Sequence, residues 1–359
     1  MTTENNKDVR LMKGNEALAE AALRAGMKAY FGYPITPQSE ILEYLAEEAP
    51  KHPDVVILQA ESELAAINMV YGSAGAGART MISSSSPGIS LMQEGLSYIA
   101  TAELPMVIVN VQRGGPGLGT IQPSQADYFQ AVKGGGHGDY HLIVLAPSSV
   151  QEMVDFMFEG FRLAEKYRNP VMILADGALG QMMEKVKLPP AGSLPTTDAP
   201  WATTGKPKSR ERNILTSLFI QSEVMEQVNL HLQEKYKRIE QEVRSESFFV
   251  ENAEIVLVAY GLSSRICQKT MQLARAKGLK VGLIRPMTLY PFPYEVIANA
   301  AESAEVFLTV EMNAGQMVED VRLGVNGKKP VHFYGRMGGM IPSPEEVLEK
   351  IESLVGVGA

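Results

Sequence analysis

Two carboxylates, Glu61 and Glu63, stand where an apolar run at 55–58 hands over to a stretch of small and apolar residues at 64–77. The run reads as a strand and the stretch as a helix whose first turn carries both acids. A helix that is apolar around its circumference is buried. A carboxylate at its mouth is then held neutral or by a specific hydrogen-bonding partner. The same acid could also simply complement the positive end of the helix, and residue type alone leaves both readings open. Four more segments carry side chains capable of chemistry. Tyr33-Pro34-Ile35-Thr36-Pro37 is a turn stiffened by two prolines that presents the Thr36 hydroxyl. Residues 83–90, Ser-Ser-Ser-Ser-Pro-Gly-Ile-Ser, offer hydroxyls and backbone amides beside a helix start, an arrangement suited to anions. Residues 112–119 set Arg113 among glycines, so its guanidinium fork is either a carboxylate or phosphate ligand or a surface arginine. Residues 133–140 pack four glycines around His137 and Asp139; His137 is an acid–base candidate or a structural histidine.

The rest of the chain limits what these groups can be. A net charge of −8 over 359 residues gives no basic field for nucleic acid. The single cysteine, Cys267, excludes an internal disulfide, a cysteine-rich zinc site and a four-thiolate iron–sulfur cluster, so any redox centre belongs to another polypeptide. No run approaches the ~20 apolar residues of a membrane span. Residues 1–10 are polar and unlike a secretory signal, and the chain reads as soluble and cytoplasmic. No glycine-rich dinucleotide fingerprint follows the first strand. Asp176-Gly177 lacks companion ligands at metal-site spacing and reads as a turn.

The elements that must position these segments alternate. Helices are expected at 14–26 and 38–48. Strands are expected at 28–31, 55–58, 80–83, 106–111, 141–145 and 171–174, with helices between them. The continuous apolar strands predict a parallel sheet covered on both faces, in which ligands bind beyond the carboxyl ends of the strands. On that reading the four loops share one composite site. Residues 188–212 read as a linker. Residues 214–243 read as one amphipathic helix, with Leu218, Met225, Leu232 and Ile239 on a narrow seam that packs on its own domain or on a sister subunit rather than forming an independent coiled coil, a partner-subunit contact being the expectation. A second α/β pattern begins near 253, with strands at 255–259, 280–284 and 306–310, helices at 264–277 and 343–354, and Glu311 just past a strand end.

Taken together, Tyr33–Pro37, Glu63-Leu64-Ala65-Ala66-Ile67-Asn68-Met69, the Pro87-Gly88 loop and Gln112-Arg113-Gly114-Gly115-Pro116 resemble, in the same order, the α subunits of 2-oxoacid:ferredoxin oxidoreductases. Arg285-Pro286, Pro291-Phe292-Pro293, Val310-Glu311-Met312-Asn313 and Gly315-Gln316 extend the resemblance through the C-terminal half. Residues 117–123 and 134–140 are most similar to the branched-chain, 2-oxoisovalerate branch.

The resemblance implies an α/β fold in three parts. A pyrimidine-type thiamine diphosphate domain would span 1–188, a linker with the charged helix 189–250, and a transketolase C-terminal-like domain 251–359. It implies that Glu63, nine residues before Gly72 as in such enzymes, holds the cofactor's aminopyrimidine in preference to Glu61. Ser86, Pro87 and Gly88 would line the cofactor, and Thr36, Arg113 and Gln122 the substrate, with no metal ligand on this chain. The diphosphate and its Mg2+ would lie on a β subunit, and iron–sulfur clusters on further subunits that pass electrons to ferredoxin. Coenzyme A would be the co-substrate of this hetero-oligomer. Two departures stand out. Ser86 replaces an expected glycine, and Ile121-Gln122-Pro123 replaces the Leu-Pro-Thr of oxoglutarate-type members, which favours an apolar substrate tail. The competing readings are an oxoglutarate-type member, the β-type chain of a lipoamide-linked dehydrogenase, and a non-catalytic scaffold.

Overall fold

The computed structural model describes residues 8–356. In chain order the strands of the first half are β1 (Asp8–Lys13), β2 (Ala29–Gly32), β3 (Val56–Gln59), β4 (Thr80–Ser84), β5 (Met106–Gln112), β6 (Ile143–Leu145), β7 (Pro170–Asp176) and β8 (Met183–Leu188). Those of the second half are β9 (Ser245–Phe248), β10 (Ile255–Val258), β11 (Val281–Pro286), β12 (Thr288–Tyr290), β13 (Val306–Glu311) and β14 (Val331–Gly335).

Every residue of β5 (Met-Val-Ile-Val-Asn-Val-Gln) and β7 (Pro-Val-Met-Ile-Leu-Ala-Asp) is buried, as expected of strands covered on both faces. They lie within a seven-stranded sheet of order β12-β6-β7-β5-β4-β2-β3, parallel throughout except for β12. From β2 the chain steps outward to the edge strand β3, then returns to the other side of β2 as β4. This reversal leaves a crevice at the carboxyl ends of adjacent strands, where open α/β sheets bind ligands. The second sheet has order β14-β13-β10-β11-β9, with only β9 antiparallel.

The two halves are interleaved. β12, flanked in sequence by second-half strands, pairs antiparallel with β6 at the edge of the first sheet. β9, from the stretch expected to be linker and helix, joins the second sheet. Arg285 on β11 is 5% exposed and donates to Glu152 of the first half at 2.8 Å and to Glu246 at 2.7 Å. A buried amide, Gln125, is fully used across the junction. Its backbone N–H donates to the Met312 carbonyl at 3.0 Å and its Nε2 to the Tyr260 carbonyl at 2.8 Å. Its Oε1 accepts from Ser263 Oγ at 2.7 Å and from Met312 N–H at 3.0 Å.

The charged segment differs from its sequence pattern. The helix spans Ser222–Ile239, and 214–221 has no regular secondary structure, with more and less exposed residues alternating through 220. A seven-residue apolar recurrence cannot tell such a segment from a helix when it covers a single repeat. Leu218 therefore lies outside the helix, and the seam formed by Leu232, Tyr236 and Ile239 packs into the core of the first sheet of this same chain. Lys235 is buried with it, 3.3 Å from Glu103 and 3.2 Å from the Arg168 carbonyl, and burial lowers its pKa to about 8. Among the described residues no helix is long and apolar enough to cross a membrane.

Candidate active site

β3, β2, β4 and β5 are neighbours, so the segments leaving their carboxyl ends meet. These are the helix mouth at Glu63, the Thr36 turn, the serine loop and the Arg113 loop. The fourth glycine-rich loop, 133–140, does not join them. It leads into the amino end of β6, its Gly135 and Gly136 lie against Gln93, and exposed His137 sits edge-on to Tyr98.

The helix over β3 spans Glu63–Gly75 and is capped by Ser62, whose Oγ accepts the Ala65 N–H at 3.2 Å. Glu61 precedes this cap and is exposed, not in the first turn, whereas Glu63 is 5% exposed. Among the described residues no donor hydrogen-bonds the Glu63 carboxylate. Neither oxygen is among the fully buried polar atoms left without a partner, so both keep some contact with solvent, and a bound group can reach them to supply the donor. The helix is also not covered all round, as its composition had suggested. Ala66, Ile67, Val70 and Ala74 face the core, while Leu64, Asn68, Met69 and Gly72 form an exposed face.

Opposite Glu63 lies Gly88, in the short helix Ser86–Leu91 that follows β4. A Cβ at Gly88 would come 2.5 Å from Glu63 Oε1 and 2.0 Å from Ser84 Oγ. Only glycine lets the loop approach the acid this closely. Among the described residues the hydroxyls of Ser84 and Ser85 are buried without partners. Ser83, by contrast, is fixed between Tyr30 at 2.7 Å and Gln38 at 2.6 Å. An unpartnered acid, the unpartnered Ser84 hydroxyl and a side-chain-free approach at Gly88 fit the polar heterocycle of a thiamine cofactor.

Ser86, where glycine was expected, is fully used. Its Oγ donates to Asp127 Oδ2 at 2.6 Å and accepts the Arg113 N–H at 3.1 Å. Asn110 donates to the same Asp127 oxygen at 2.8 Å. Burial pushes the Asp127 carboxyl above its ordinary value, opposed by these two donors. Arg113 Nη1 donates to the Thr36 carbonyl at 2.9 Å, which joins the first and third loops, while its buried Nε has no partner among the described residues. Thr36 itself is exposed, so its hydroxyl is free to meet a ligand. Gln122 is exposed; its carbonyl accepts the Gly114 N–H at 2.9 Å and closes the Arg113 loop on itself.

A cavity of about 420 Å³ opens beside these loops, lined by Ser86, Pro87, Arg113 and Asp127 from the first half and by Met312, Asn313, Gln316 and Met337 from the second. Asp127, Asn110 and Gln125 gave no signal in the sequence, because their role depends on contacts across the fold rather than on any motif. Two acids prove structural. Glu311, fully buried at the end of β13, accepts from Asn313 Nδ2 at 2.8 Å and from the N–H groups of Met317 and Val318 at 2.9 and 3.0 Å. It thereby satisfies the start of the helix Met317–Val325. Asp176 caps Gly177–Gln181, consistent with a turn, and burial raises its pKa to about 6.

Comparison with known proteins gives the same picture. Residues 20–250 match the family described as pyruvate flavodoxin/ferredoxin oxidoreductase, thiamine diphosphate-binding, and residues 253–347 match pyruvate:ferredoxin oxidoreductase core domain II. A ketoisovalerate oxidoreductase subunit (VorB) of Methanothermobacter marburgensis is 52% identical over 97% of this chain and 98% of its own length. A 2-oxoglutarate synthase subunit (KorA) of Archaeoglobus fulgidus is 36% identical over 96% and 99%. Among solved structures, a 2-oxoglutarate:ferredoxin oxidoreductase from Magnetococcus marinus, with 2-oxoglutarate, coenzyme A and succinyl-CoA bound, superposes with a TM-score of 0.82 at 27% identity. It covers 98% of this chain, which spans 66% of that one. A split-gene transketolase shares the fold alone, with a TM-score of 0.60 at 13% identity.

Proposed function

The chain belongs to the pyruvate flavodoxin/ferredoxin oxidoreductase family, the 2-oxoacid:ferredoxin oxidoreductases, and from that premise we propose that it is the α subunit of a branched-chain member. This enzyme decarboxylates 2-oxoisovalerate oxidatively, transfers the acyl group to coenzyme A and reduces ferredoxin. The observation that carries the reading is the little-exposed Glu63 side chain, which among the described residues has no donor and lies against Gly88 beside the unpartnered Ser84 hydroxyl.

Glu63, Pro87 and Gly88, with Ser86 through its backbone because its hydroxyl is taken by Asp127 and Arg113, would hold the pyrimidine half of thiamine diphosphate, which when bound supplies the nucleophilic carbon that the amino acids themselves lack. Glu63 would hydrogen-bond the pyrimidine ring nitrogen, at a place where little of the side chain is exposed. Arg113 and the Thr36 hydroxyl orient the substrate carboxylate, with Gln122 on the same loop. Fixing Arg113 from both sides, through Ser86 at its backbone and Thr36 at its guanidinium, presets that orientation before substrate arrives. The diphosphate with its Mg2+, and the iron–sulfur clusters, belong to partner subunits, and the exposed face of Glu63–Gly75 is where the diphosphate-binding subunit docks. The preference for a branched tail is supported by the higher identity to the ketoisovalerate relative and by Gln122-Pro123 in place of a second carboxylate's hydroxyl ligand.

The test is the assembled complex with Glu63→Gln. Coenzyme A-dependent viologen reduction is expected to fall at least ~100-fold, together with weakened thiamine diphosphate binding by calorimetry. Unchanged turnover would return the chain to the scaffold reading, and lipoamide in place of viologen as the acceptor to the dehydrogenase reading.

A further inference from the structure

The cavity beside Arg113 is lined by polar and apolar side chains together, and one of the loops that line it comes from the second half of the chain. Its polar lining includes Arg113, Asp127, Asn313 and Gln316, and its apolar lining Pro87, Pro116, Met312 and Met337. Met337 sits on the loop that follows β14. Its neighbours Gly338 and Gly339 have φ of +63° and +94°, a left-handed backbone open to glycine at no cost. The loop is keyed into the Arg113 loop. A Cβ on Gly114 would lie 2.7 Å from Gly339 N and 2.8 Å from Gly338 C, and one on Gly339 would lie 2.5 Å from Gln122 Cβ. The Met340 N–H donates to the Met337 carbonyl at 3.2 Å, and Arg336 pairs with Glu346. The loop is thus held at both ends, and its placement follows the placement of Arg113. Met337 itself remains 60% exposed, so packing does not account for its position.

Resting on the reading of Arg113 as the substrate-carboxylate ligand, we infer that Met337 is a specificity-determining residue, the wall that receives the substrate's apolar tail. Among the lining residues Arg113 is the sole cation and Asp127 the sole anion. One substrate carboxylate can therefore be matched. A second would find no cation and would meet a thioether or the Asp127 charge. A branched aliphatic tail instead gains contact with a flexible, polarisable side chain that adapts to its shape.

The experiment uses the complete complex and compares kcat/KM for 2-oxoisovalerate, pyruvate and 2-oxoglutarate. Met337→Ala is expected to lower the ratio of 2-oxoisovalerate to pyruvate about tenfold, the scale of discrimination carried by small apolar groups, mainly through KM. Met337→Arg is expected to raise 2-oxoglutarate relative to 2-oxoisovalerate at least about tenfold by adding the missing cation. A fold or assembly defect lowers all three substrates together and leaves the ratios alone, so the ratios are the readout. If the unmodified complex turns over 2-oxoisovalerate and both variants keep its ratios within about twofold, the inference about Met337 is overturned while the functional reading stands. If the unmodified complex turns over none of the three, both fall together.

Discussion

Gly88→Ala tests the approach of the serine loop to Glu63 with a single methyl group. The new Cβ would lie 2.0 Å from Ser84 Oγ, 2.5 Å from Glu63 Oε1 and 2.7 Å from Glu63 Cγ. Ordinary contacts begin about 3.4 Å away, so the acid or the loop must retreat by roughly 1 Å. Overpacking of this size costs about 1–3 kcal/mol of stability, which a domain built on two interleaved sheets tolerates. Activity is far more sensitive, since a 1 Å misplacement of a positioning group costs about 100-fold in rate. The variant complex should therefore assemble and melt a few degrees lower, yet lose about two orders of magnitude in coenzyme A-dependent viologen reduction. Turnover within twofold of the unmodified complex, with the thermal shift present, would mean that the position of Glu63 relative to this loop does not matter to the chemistry.

Arg113→Lys keeps the charge but loses the fork, and should cost about 2 kcal/mol in kcat/KM, or some 30-fold, by steady-state kinetics. Gly72 lies on the exposed face of the Glu63–Gly75 helix, where an added methyl group would meet nothing within 4 Å. Gly72→Ala should stabilise the isolated chain by about 0.5–1 kcal/mol in denaturant titrations yet weaken binding of the partner subunit; equal or tighter binding would show that the face is free. For Asp176 the folded pKa, about 6, lies above the ordinary aspartate value of 3.8. The protonated form is therefore favoured by folding, and its contribution is full below about pH 4 and lost as pH rises toward 6. Asp176→Asn keeps the cap without the charge, so its stability relative to the natural chain should rise between pH 4 and pH 7; a constant difference across that range would contradict the assignment.

The parts of the fold legible in the sequence are those governed by local pattern. Continuous apolar runs gave β4, β5 and β7 to within two residues at each end, and the strand-to-helix passage at Glu63 placed the acid in the crevice. Three of the four suspected loops meet because they leave the carboxyl ends of neighbouring strands. The fourth, 133–140, has the same composition but enters β6 at its amino end, which composition cannot reveal. Long-range pairings were also invisible. The partners in the β1–β8 ribbon, from Asp8 with Leu188 to Lys13 with Met183, are 170 to 180 residues apart, and Thr288–Tyr290 crosses to the other half's sheet through only three residues. Asp127 and Gln125 matter through partners brought in by the fold, Ser86 and Asn110 for one and Met312 and Tyr260 for the other. Glu311 has the strand-end position of a functional acid but is occupied by the helix that follows it.

The central claim is that the Glu63 carboxyl binds the thiamine pyrimidine inside a site completed by a second subunit. A structure of the assembled complex with thiamine diphosphate measures this directly. A Glu63 carboxyl oxygen is expected about 2.6–2.8 Å from a pyrimidine ring nitrogen, with Gly88 alongside and the diphosphate held by the partner. A cofactor bound elsewhere, or a Glu63 side chain turned away from it, would contradict the claim.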